Sequence, residues 1–173
     1  MVICPSCKAE NIDGVDECDH CQQPLGFLSK PRAGSPIEHS ILRDRVFKLG
    51  PRKPLTVAPR TTVAEVLRLM VARAVGCVLV GDERTMVGIF TERDALVRLN
   101  VDAMELGHRP VSDFMTPSPE TIAHDAPIAF ALHKMDIGGY RHVPVLTDGK
   151  PTGVISVRDI LRYIAEDLAS RMA

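Results

Sequence analysis

The sequence is poor in aromatic side chains, with no Trp, two Tyr and five Phe among its 173 residues. Its core must therefore be built from aliphatic residues and Met, which leaves few rings on which nucleic-acid bases could stack. Long apolar runs are also lacking, because the apolar stretch around 74–80 is far shorter than the ~18–20 residues that span a bilayer. Residues 1–4, Met-Val-Ile-Cys, do not resemble a signal peptide. We therefore expect a cytoplasmic protein with no membrane contact, whose thiols stay reduced.

The net charge is close to zero, at −1, but it is unevenly distributed. Residues 1–24 carry one base and five acids, whereas residues 25–60 carry eight bases and two acids. A module that binds nucleic acid normally presents a basic face to the phosphates. The acidic N-terminal segment therefore argues against nucleic acid as its partner.

Four of the five cysteines form two C-x2-C pairs that are separated by ten residues: Cys4, Cys7, Cys18 and Cys21. Tetrahedral Zn²⁺ takes four such ligands, each about 2.3 Å from the ion. The surrounding segment has few apolar residues, so metal binding would supply its folding energy. Four thiolates leave no coordination position for water, which predicts a structural site rather than a catalytic one.

With Cys4-Pro5 and the trailing Pro24-Leu25, this segment resembles the short zinc ribbons at the ends of many microbial proteins. We expect a zinc ribbon over residues 1–25 that contacts a partner protein. The gap between the pairs is shorter than the common 15–20 residues, which leaves a rubredoxin-like iron site as an alternative. A pair of redox-active dithiols is a further alternative.

A linker with one short helix is expected over residues 26–50. The stretch from Ser29 to Pro36 is rich in turn-forming residues. Ser35 and Glu38 have the spacing of a capping box, and Pro36 stands at the first helical position. The pattern predicts a helix from Pro36 to about Lys48, ended by Gly50 and Pro51.

The rest of the chain is an internal repeat with an offset of 65 residues. Alignment without gaps gives eleven identities over the 44 positions 56–99, including Asp94 with Asp159. Chance would give about two or three, so the repeat decides the fold. Each copy reads as strand, helix, strand, strand, helix, and such units must pack together to cover their sheets. We therefore predict a mixed α/β (α+β) fold built from two βαββα units.

The elements follow from the periodicity of apolar residues. The first helix has apolar residues at a 3.6-residue period: Val63, Val66, Leu67, Met70 and Val71. The first copy has predicted strands at 55–58, 77–80 and 86–90, and a second helix from Thr91. The second copy has predicted strands at 121–123, 143–146 and 152–155, and a final helix to about Arg171.

The segments Gly88–Asp94 (GIFTERD) and Gly153–Asp159 (GVISVRD) resemble a tandem pair of CBS motifs, also called a Bateman module. Met115-Thr116-Pro117 and the run Arg141–Val145 resemble the same family. The resemblance implies CBS units at 51–110 and 111–173, related by a pseudo-twofold axis with clefts between them. It implies an adenosine ligand in these clefts: AMP, ADP, ATP, S-adenosylmethionine or NAD. It also implies a homodimer formed through the CBS units that regulates another protein.

The resemblance assigns ribose contacts to two pairs, Thr91 with Asp94 and Ser156 with Asp159. A carboxylate at the start of a helix can accept both ribose hydroxyls in charge-assisted hydrogen bonds. By the same resemblance, the adenine slots are lined by Thr56, Val57, Gly88 and Ile89, and by Thr121, Ile122, Gly153 and Val154. Thr-x-x-Asp is also a helix-capping sequence, and that alternative stays open.

The two copies differ where a phosphate would be held. Arg141 and His142 supply positive charge and hydrogen-bond donors, whereas the aligned residues are Gly76 and Cys77. We expect phosphate contacts at Arg141 and His142, with Arg60 or Arg158 helping, and unequal occupancy of the two clefts. Cys77 is expected to be an inert core thiol.

A nucleophile beside a base is not evident in this pattern, so we expect a regulatory sensor rather than an enzyme. An iron-binding electron-transfer protein and a transcription-linked factor that uses its ribbon on nucleic acid are the alternatives.

Overall fold

The computed structural model describes residues 1–12, 15–26, 34–82, 84–99 and 103–172. It divides into two compact units, and both are discontinuous in sequence. One unit comprises Met1–Pro51, Ile122–Val143 and Ile155–Ala173, and the other comprises Arg52–Thr121 and Pro144–Val154. Much of the predicted hinge, residues 27–33, lies outside the described part of the chain.

The N-terminal segment is a small cysteine ribbon. Strand β1 (Val2–Ile3) pairs antiparallel with β2 (Glu10–Asn11). Its small core consists of Cys4, Cys18 and Leu25, with Val2 and Val15 among the partly buried residues around them. Among the described residues of this segment, Leu25 is the one fully buried apolar side chain besides the cysteines.

Helix α1 (Pro36–Arg43) begins where the capping box predicts, and the Ser35 hydroxyl accepts from the backbone N–H of Glu38. The predicted end near Lys48 is wrong. Asp44 is extended, and a separate 3-10 turn follows at Val46–Leu49. The first two backbone N–H groups of this turn do not continue the helix: Val46 N donates to Ala126 O at 2.8 Å, and Phe47 N donates to His124 O at 3.0 Å.

A four-stranded sheet in the order β3-β4-β5-β6 is formed by the first copy of the repeat and the segment that follows it. Its strands are β3 (Thr56–Val57), β4 (Cys77–Gly81), β5 (Met86–Thr91) and β6 (Thr116–Pro117). Strand β3 is parallel to β4, and the remaining pairs are antiparallel. Strand β6 lies in the Met-Thr-Pro segment, for which the sequence predicted no strand.

The helices of this copy are α2 (Val63–Arg73), α3 (Glu92–Asp94) and α4 (Ala103–Leu106). A full capping box between Thr62 and Glu65 starts α2. Val63, Val66 and Met70 pack with strand residues in one buried cluster. Val71 was predicted to join this face, but it is 82% exposed, so that prediction is wrong. It lies one residue past Met70, which turns its side chain away from the buried stripe.

Helix α3 begins after Thr91, as the sequence predicts, but it does not continue as a regular α-helix. Residues Ala95–Leu99 form a π-helical turn. Such turns are rare and often lie at functional sites. A 3-10 turn at Val111–Asp113 then leads into β6.

The second copy of the repeat contains β7 (Ile122–Ala123), α5 (Ile128–Gly138), β8 (His142–Thr147), β9 (Lys150–Ser156) and α6 (Val157–Met172). Its three strands form a sheet in the order β7-β8-β9. These bounds confirm the predicted strands and the final helix to within about two residues. Fully buried aliphatic and aromatic side chains line its helices and strands: Ile128, Phe130, Val143, Ile155 and Ile160.

Helix α1 is held against α6 by polar contacts. The Tyr163 hydroxyl donates to Asp44 Oδ2 at 2.6 Å, and Arg171 donates to the buried Ser40 hydroxyl at 2.9 Å. The hydrogen bond from Tyr163 is the main cause that lowers the pKa of Asp44, and Lys48 adds to it. Burial and the neighbouring carboxylate raise the pKa of Tyr163 to about 12, so its hydroxyl keeps its proton at neutral pH.

We predict that Tyr163→Phe lowers the free energy of unfolding at pH 7 by about 1.5 kcal/mol, because a hydrogen bond to a charged group is lost. Since folding lowers the pKa of Asp44, its contribution is present above the unfolded value near 3.8 and is lost as pH falls through the folded value. The difference between the two proteins should therefore shrink below about pH 4. Urea unfolding at pH 7 and pH 3 measures both, and Asp44→Asn with the double variant gives the coupling. A difference independent of pH would contradict this prediction.

Candidate functional site

The four ribbon cysteines come together, as their spacing predicts. Their four Sγ atoms lie within 4.8 Å of one another, and all are free thiols. The Sγ–Sγ distances are 3.6 Å from Cys4 to Cys21 and 3.6 Å from Cys7 to Cys18. The edge of a tetrahedron with metal–sulfur bonds of about 2.3 Å is about 3.8 Å. The donor set therefore fits one tetrahedral metal ion that prefers sulfur.

The two C-x2-C pairs lie in matching turns. Each pair is closed by the same backbone hydrogen bond, from the residue after its second cysteine to its first cysteine. Lys8 N donates to Cys4 O, and Gln22 N donates to Cys18 O, both at 2.8 Å. Lys8 and Gln22 both have positive φ, at 64° and 58°. This left-handed residue after each pair turns the chain so that both sulfurs of the pair face the cluster. Lys8 also forms a 2.9 Å ion pair with Asp125 of the second copy of the repeat, and both side chains are about half exposed.

Asn11 is a buried polar residue beside the cluster that the sequence did not single out. Its amide donates to Ala9 O at 2.9 Å and to Cys18 Sγ at 3.5 Å, and its oxygen accepts from Asp19 N. Burial raises the pKa of Cys18, but hydrogen bonds from its neighbours outweigh burial and lower it to about 6. The cluster thus has a hydrogen-bonded surround that favours thiolate at one of its members.

The first carboxylate site is Asp94, which is 9% exposed at the start of α3. Its Oδ2 accepts from the Thr91 backbone N–H at 2.9 Å and from the Thr91 hydroxyl at 2.7 Å. Thr91 Oγ1 in turn accepts from the Asp94 N–H at 3.2 Å. This is a capping box, so the capping alternative describes real contacts of Thr91 and Asp94.

The other oxygen of Asp94 is occupied by two groups that the sequence did not assign. The Thr116 hydroxyl donates to Oδ1 at 3.2 Å, and Arg98 Nε lies 3.4 Å from the same oxygen. Arg98 also donates to the backbone carbonyls of Phe114 and Met115, at 2.8 and 2.5 Å. Repeat alignment could not find these two residues, because their counterparts, Pro51 and Tyr163, are of other types.

The second carboxylate site is Asp159, which is 6% exposed at the start of α6. Its Oδ2 accepts from the Ser156 N–H at 2.8 Å and from the Ser156 hydroxyl at 2.7 Å. Its Oδ1 lies 3.3 Å from Arg162, whose side chain is 49% exposed. The two sites therefore share the contacts of Oδ2, which come from the residue three positions earlier, and differ in the contacts of Oδ1.

The residues predicted to hold phosphate lie beside the second site. The backbone N–H of Val157, at the start of α6, donates to Arg141 O at 3.1 Å. Arg141 is exposed, and His142 is half-buried at the start of β8. In the first copy Glu92 N donates to Gly76 O at 3.0 Å, so a residue without a side chain takes this place.

The predicted adenine-slot residues lie on short strands of the two sheets. Thr56 and Val57 form β3, and Gly88 lies in β5. A Cβ at Gly88 would lie 3.0 Å from Thr116 O and would overlap the Met115 side chain, so this close approach requires glycine. The second set is placed likewise: Thr121 directly precedes β7, Ile122 is buried in β7, and Gly153 and Val154 lie in β9.

The remaining basic candidates, Arg60 and Arg158, are exposed. Cys77 is buried in β4, and burial raises the pKa of its thiol to about 12, which makes it unreactive.

Within the part of the chain that the structure describes, every helix is too short or too polar to cross a bilayer.

Comparison with known proteins agrees with the repeat. The family model for the CBS domain matches twice, at residues 47–100 and 111–166. A curated relative, the CBS domain-containing protein CBSCBSPB5 of Arabidopsis thaliana, is 36% identical over 164 residues. The match covers 94% of this chain but 29% of the plant protein, so the chain spans under a third of that relative.

Solved structures show the same fold. The CBS-domain containing protein ATU1752 from Agrobacterium tumefaciens has a TM-score of 0.65 and 29% identity, covering 69% of this chain and 98% of that one. The CBS domain protein PAE2072 from Pyrobaculum aerophilum, complexed with AMP, has a TM-score of 0.64 and 28% identity, covering 73% and 99%. Together with the two family matches, these likenesses confirm the mixed α/β fold. The chain is a member of the CBS domain family, with two CBS copies in tandem behind an N-terminal cysteine ribbon.

Proposed function

We propose that this protein is a non-catalytic regulatory sensor that binds an adenosine-containing ligand at its carboxylate sites. The candidate ligands are AMP, ADP, ATP, S-adenosylmethionine and NAD. The observation that carries the proposal is the duplicated buried carboxylate, Asp94 and Asp159, each beside a hydroxyl at a helix start. A related protein of the same fold was solved with AMP.

The carboxylates suit a ribose diol for a physical reason. In each site the capping contacts occupy one oxygen and hold the carboxylate in place, so ligand binding requires little reorganisation. A ribose hydroxyl that donates to the second oxygen would form a charge-assisted hydrogen bond. Arg141 and His142 beside the second site would then lie within reach of a phosphate.

We predict that an adenosine ligand at 100 times its Kd raises the free energy of unfolding by about 2.7 kcal/mol. Thermal-shift measurements with the five candidate ligands test this, and titration calorimetry gives the affinity. Arg141→Ala should weaken AMP more than adenosine, because only AMP carries a phosphate. Glu166→Ala, an exposed change on α6, is the control that should leave affinity unchanged. No stabilisation by any of the five ligands would refute the proposal.

We propose that the ribbon holds one structural Zn²⁺ through Cys4, Cys7, Cys18 and Cys21. The sulfur distances and the matching turns support one tetrahedral ion. Four protein ligands would leave no open position for water, which supports a structural role and no catalysis at the metal.

We predict one zinc ion per chain by elemental analysis, with no visible absorbance. Cys18→Ser should lose most of the metal, because one of four ligands is removed, whereas Cys77→Ser should retain all of it. A chelator should lower the melting temperature of the wild-type protein, since the ribbon has little core of its own. Iron with visible absorbance would instead favour the electron-transfer alternative.

We propose that the chain forms a homodimer through its CBS units. Leu96 and Leu161 occupy equivalent positions of the repeat and are 75% and 59% exposed. Exposed leucines at matched positions favour a shared contact surface.

We predict that Leu96→Glu with Leu161→Glu converts a dimer to a monomer, as measured by light scattering after size-exclusion chromatography. Ile12→Glu, at a ribbon residue that is 71% exposed, is the control that should leave the dimer intact. A wild-type monomer at micromolar concentration would contradict the proposal.

The ribbon is proposed to contact the regulated partner protein, and its exposed acidic residues support a basic docking surface: Glu10, Asp16, Glu17 and Asp19. We also propose a reducing compartment, the cytoplasm, because metal-binding cysteines must stay reduced.

A further inference from the structure

We propose that Thr116 and Arg98 form an internal latch that occupies Asp94 in place of ligand hydroxyls. The adenosine ligand then binds at Asp159, one per chain. This inference rests on the proposed function, and it names which of the two carboxylates serves it.

The latch fills the side of Asp94 that a ribose would need. Oδ2 is taken by the capping contacts with Thr91. Oδ1 receives the Thr116 hydroxyl at 3.2 Å and Arg98 Nε at 3.4 Å. A carboxylate oxygen has two lone pairs, so both oxygens of Asp94 already have two partners each within the protein.

Arg98 is held in this position by several other contacts. It donates to the carbonyls of Phe114 and Met115 and lies 3.3 Å from the Thr116 hydroxyl. The π-helical turn Ala95–Leu99 carries it back towards Asp94. Strand β6 carries Thr116, which pairs with Ile89 of β5. Displacing the latch would therefore break contacts of both the helix and the sheet.

Groups of the same type are not found at the equivalent positions beside Asp159. Thr116 pairs with Ile89, whereas Val154, the repeat equivalent of Ile89, pairs with Arg52, which has no hydroxyl. Tyr163 aligns with Arg98, and its hydroxyl donates to Asp44 at 2.6 Å instead of to Asp159.

Asp159 therefore keeps more capacity for a ligand than Asp94. The described contact of its Oδ1 is with Arg162, at 3.3 Å and with a side chain that is 49% exposed. An exposed arginine can move aside at small cost, because a surface ion pair is worth little. The backbone carbonyl of Arg141 accepts from Val157 N, two residues before Asp159, so a basic residue is next to this site in the fold.

Titration calorimetry with AMP on the full chain tests the latch. We expect a stoichiometry near one for the wild type. Asp159→Ala should weaken AMP at least about tenfold, since charge-assisted hydrogen bonds are lost, whereas Asp94→Ala should change affinity less than about twofold. Both variants lose one equivalent helix cap, so each controls for the effect of the other on stability. Asp159→Asn provides a second variant should the alanine variant fail to fold.

Thr116→Val combined with Arg98→Ala should release Asp94 and add a second, weaker AMP site, which raises the stoichiometry towards two. Thr147→Val combined with Arg98→Ala is the matched control, because the Thr147 hydroxyl bonds to Thr152 at 2.8 Å and this pair of changes leaves Thr116 on Asp94. A stoichiometry that stays at one in the Thr116→Val, Arg98→Ala variant would overturn the latch. Dependence on Asp94 alone, or equal dependence on both carboxylates, would also overturn it. A wild type that binds none of the five adenosine ligands would instead overturn the proposed function, and this inference with it.

Discussion

Both helix starts of the candidate site are built on a buried carboxylate that accepts hydrogen bonds from the residue three positions earlier. An ionised carboxylate out of water is costly unless hydrogen bonds replace its hydration. Asp94 and Asp159 each receive a backbone N–H and a hydroxyl from the residue three positions earlier, at 2.7–2.9 Å. These contacts begin a helix and fix the carboxylate at once. Capping and ligand binding are thus compatible, because capping occupies one oxygen and the other can accept hydrogen bonds from neighbouring residues or from a ligand.

The sequence predicts most of the fold because its apolar residues are periodically spaced and the pattern occurs in two copies. Strands β4, β5, β8 and β9 and helices α2, α5 and α6 follow from apolar spacing, and the repeat checks each of them against a second copy. The errors occur where neighbours in space override local pattern. Helix α1 ends at Arg43, and the backbone N–H groups of Val46 and Phe47 donate to Ala126 O and His124 O instead of continuing it. Val71 fits an apolar stripe in the sequence but lies beyond the edge of the face that packs.

In the candidate site, too, the local features could be predicted and the contacts between distant residues could not. Thr91, Asp94, Ser156 and Asp159 could be predicted because each motif is local, and their contacts span three residues. Thr116 and Arg98 could not be predicted, because they reach Asp94 through strand β6 and a π-helical turn, neither of which has a clear pattern in the sequence. Alignment of the two copies also gives no reason to select them, since it aligns Pro51 and Tyr163 with them. The features that distinguish the two sites are therefore tertiary, whereas the features that they share are local.

A duplicated module can acquire unequal sites when both copies keep the local motif and their tertiary contacts differ. The local motif that begins the helix is retained in both copies, and its loss would also remove a helix cap worth about 1 kcal/mol. The contacts of the second oxygen lie outside this cap, so they can differ between the copies while the cap is kept. Arg52, whose strand pairing is equivalent to that of Thr116, and Tyr163, which aligns with Arg98, leave both caps intact and change what the second oxygen faces. The Tyr163 hydroxyl donates to Asp44 at the end of α1, the helix that follows the cysteine ribbon, and so connects α1 to α6. A tyrosine at this position thus leaves Asp159 without the contact that Arg98 makes with Asp94, and it also connects the helix of Asp159 to the N-terminal part of the chain.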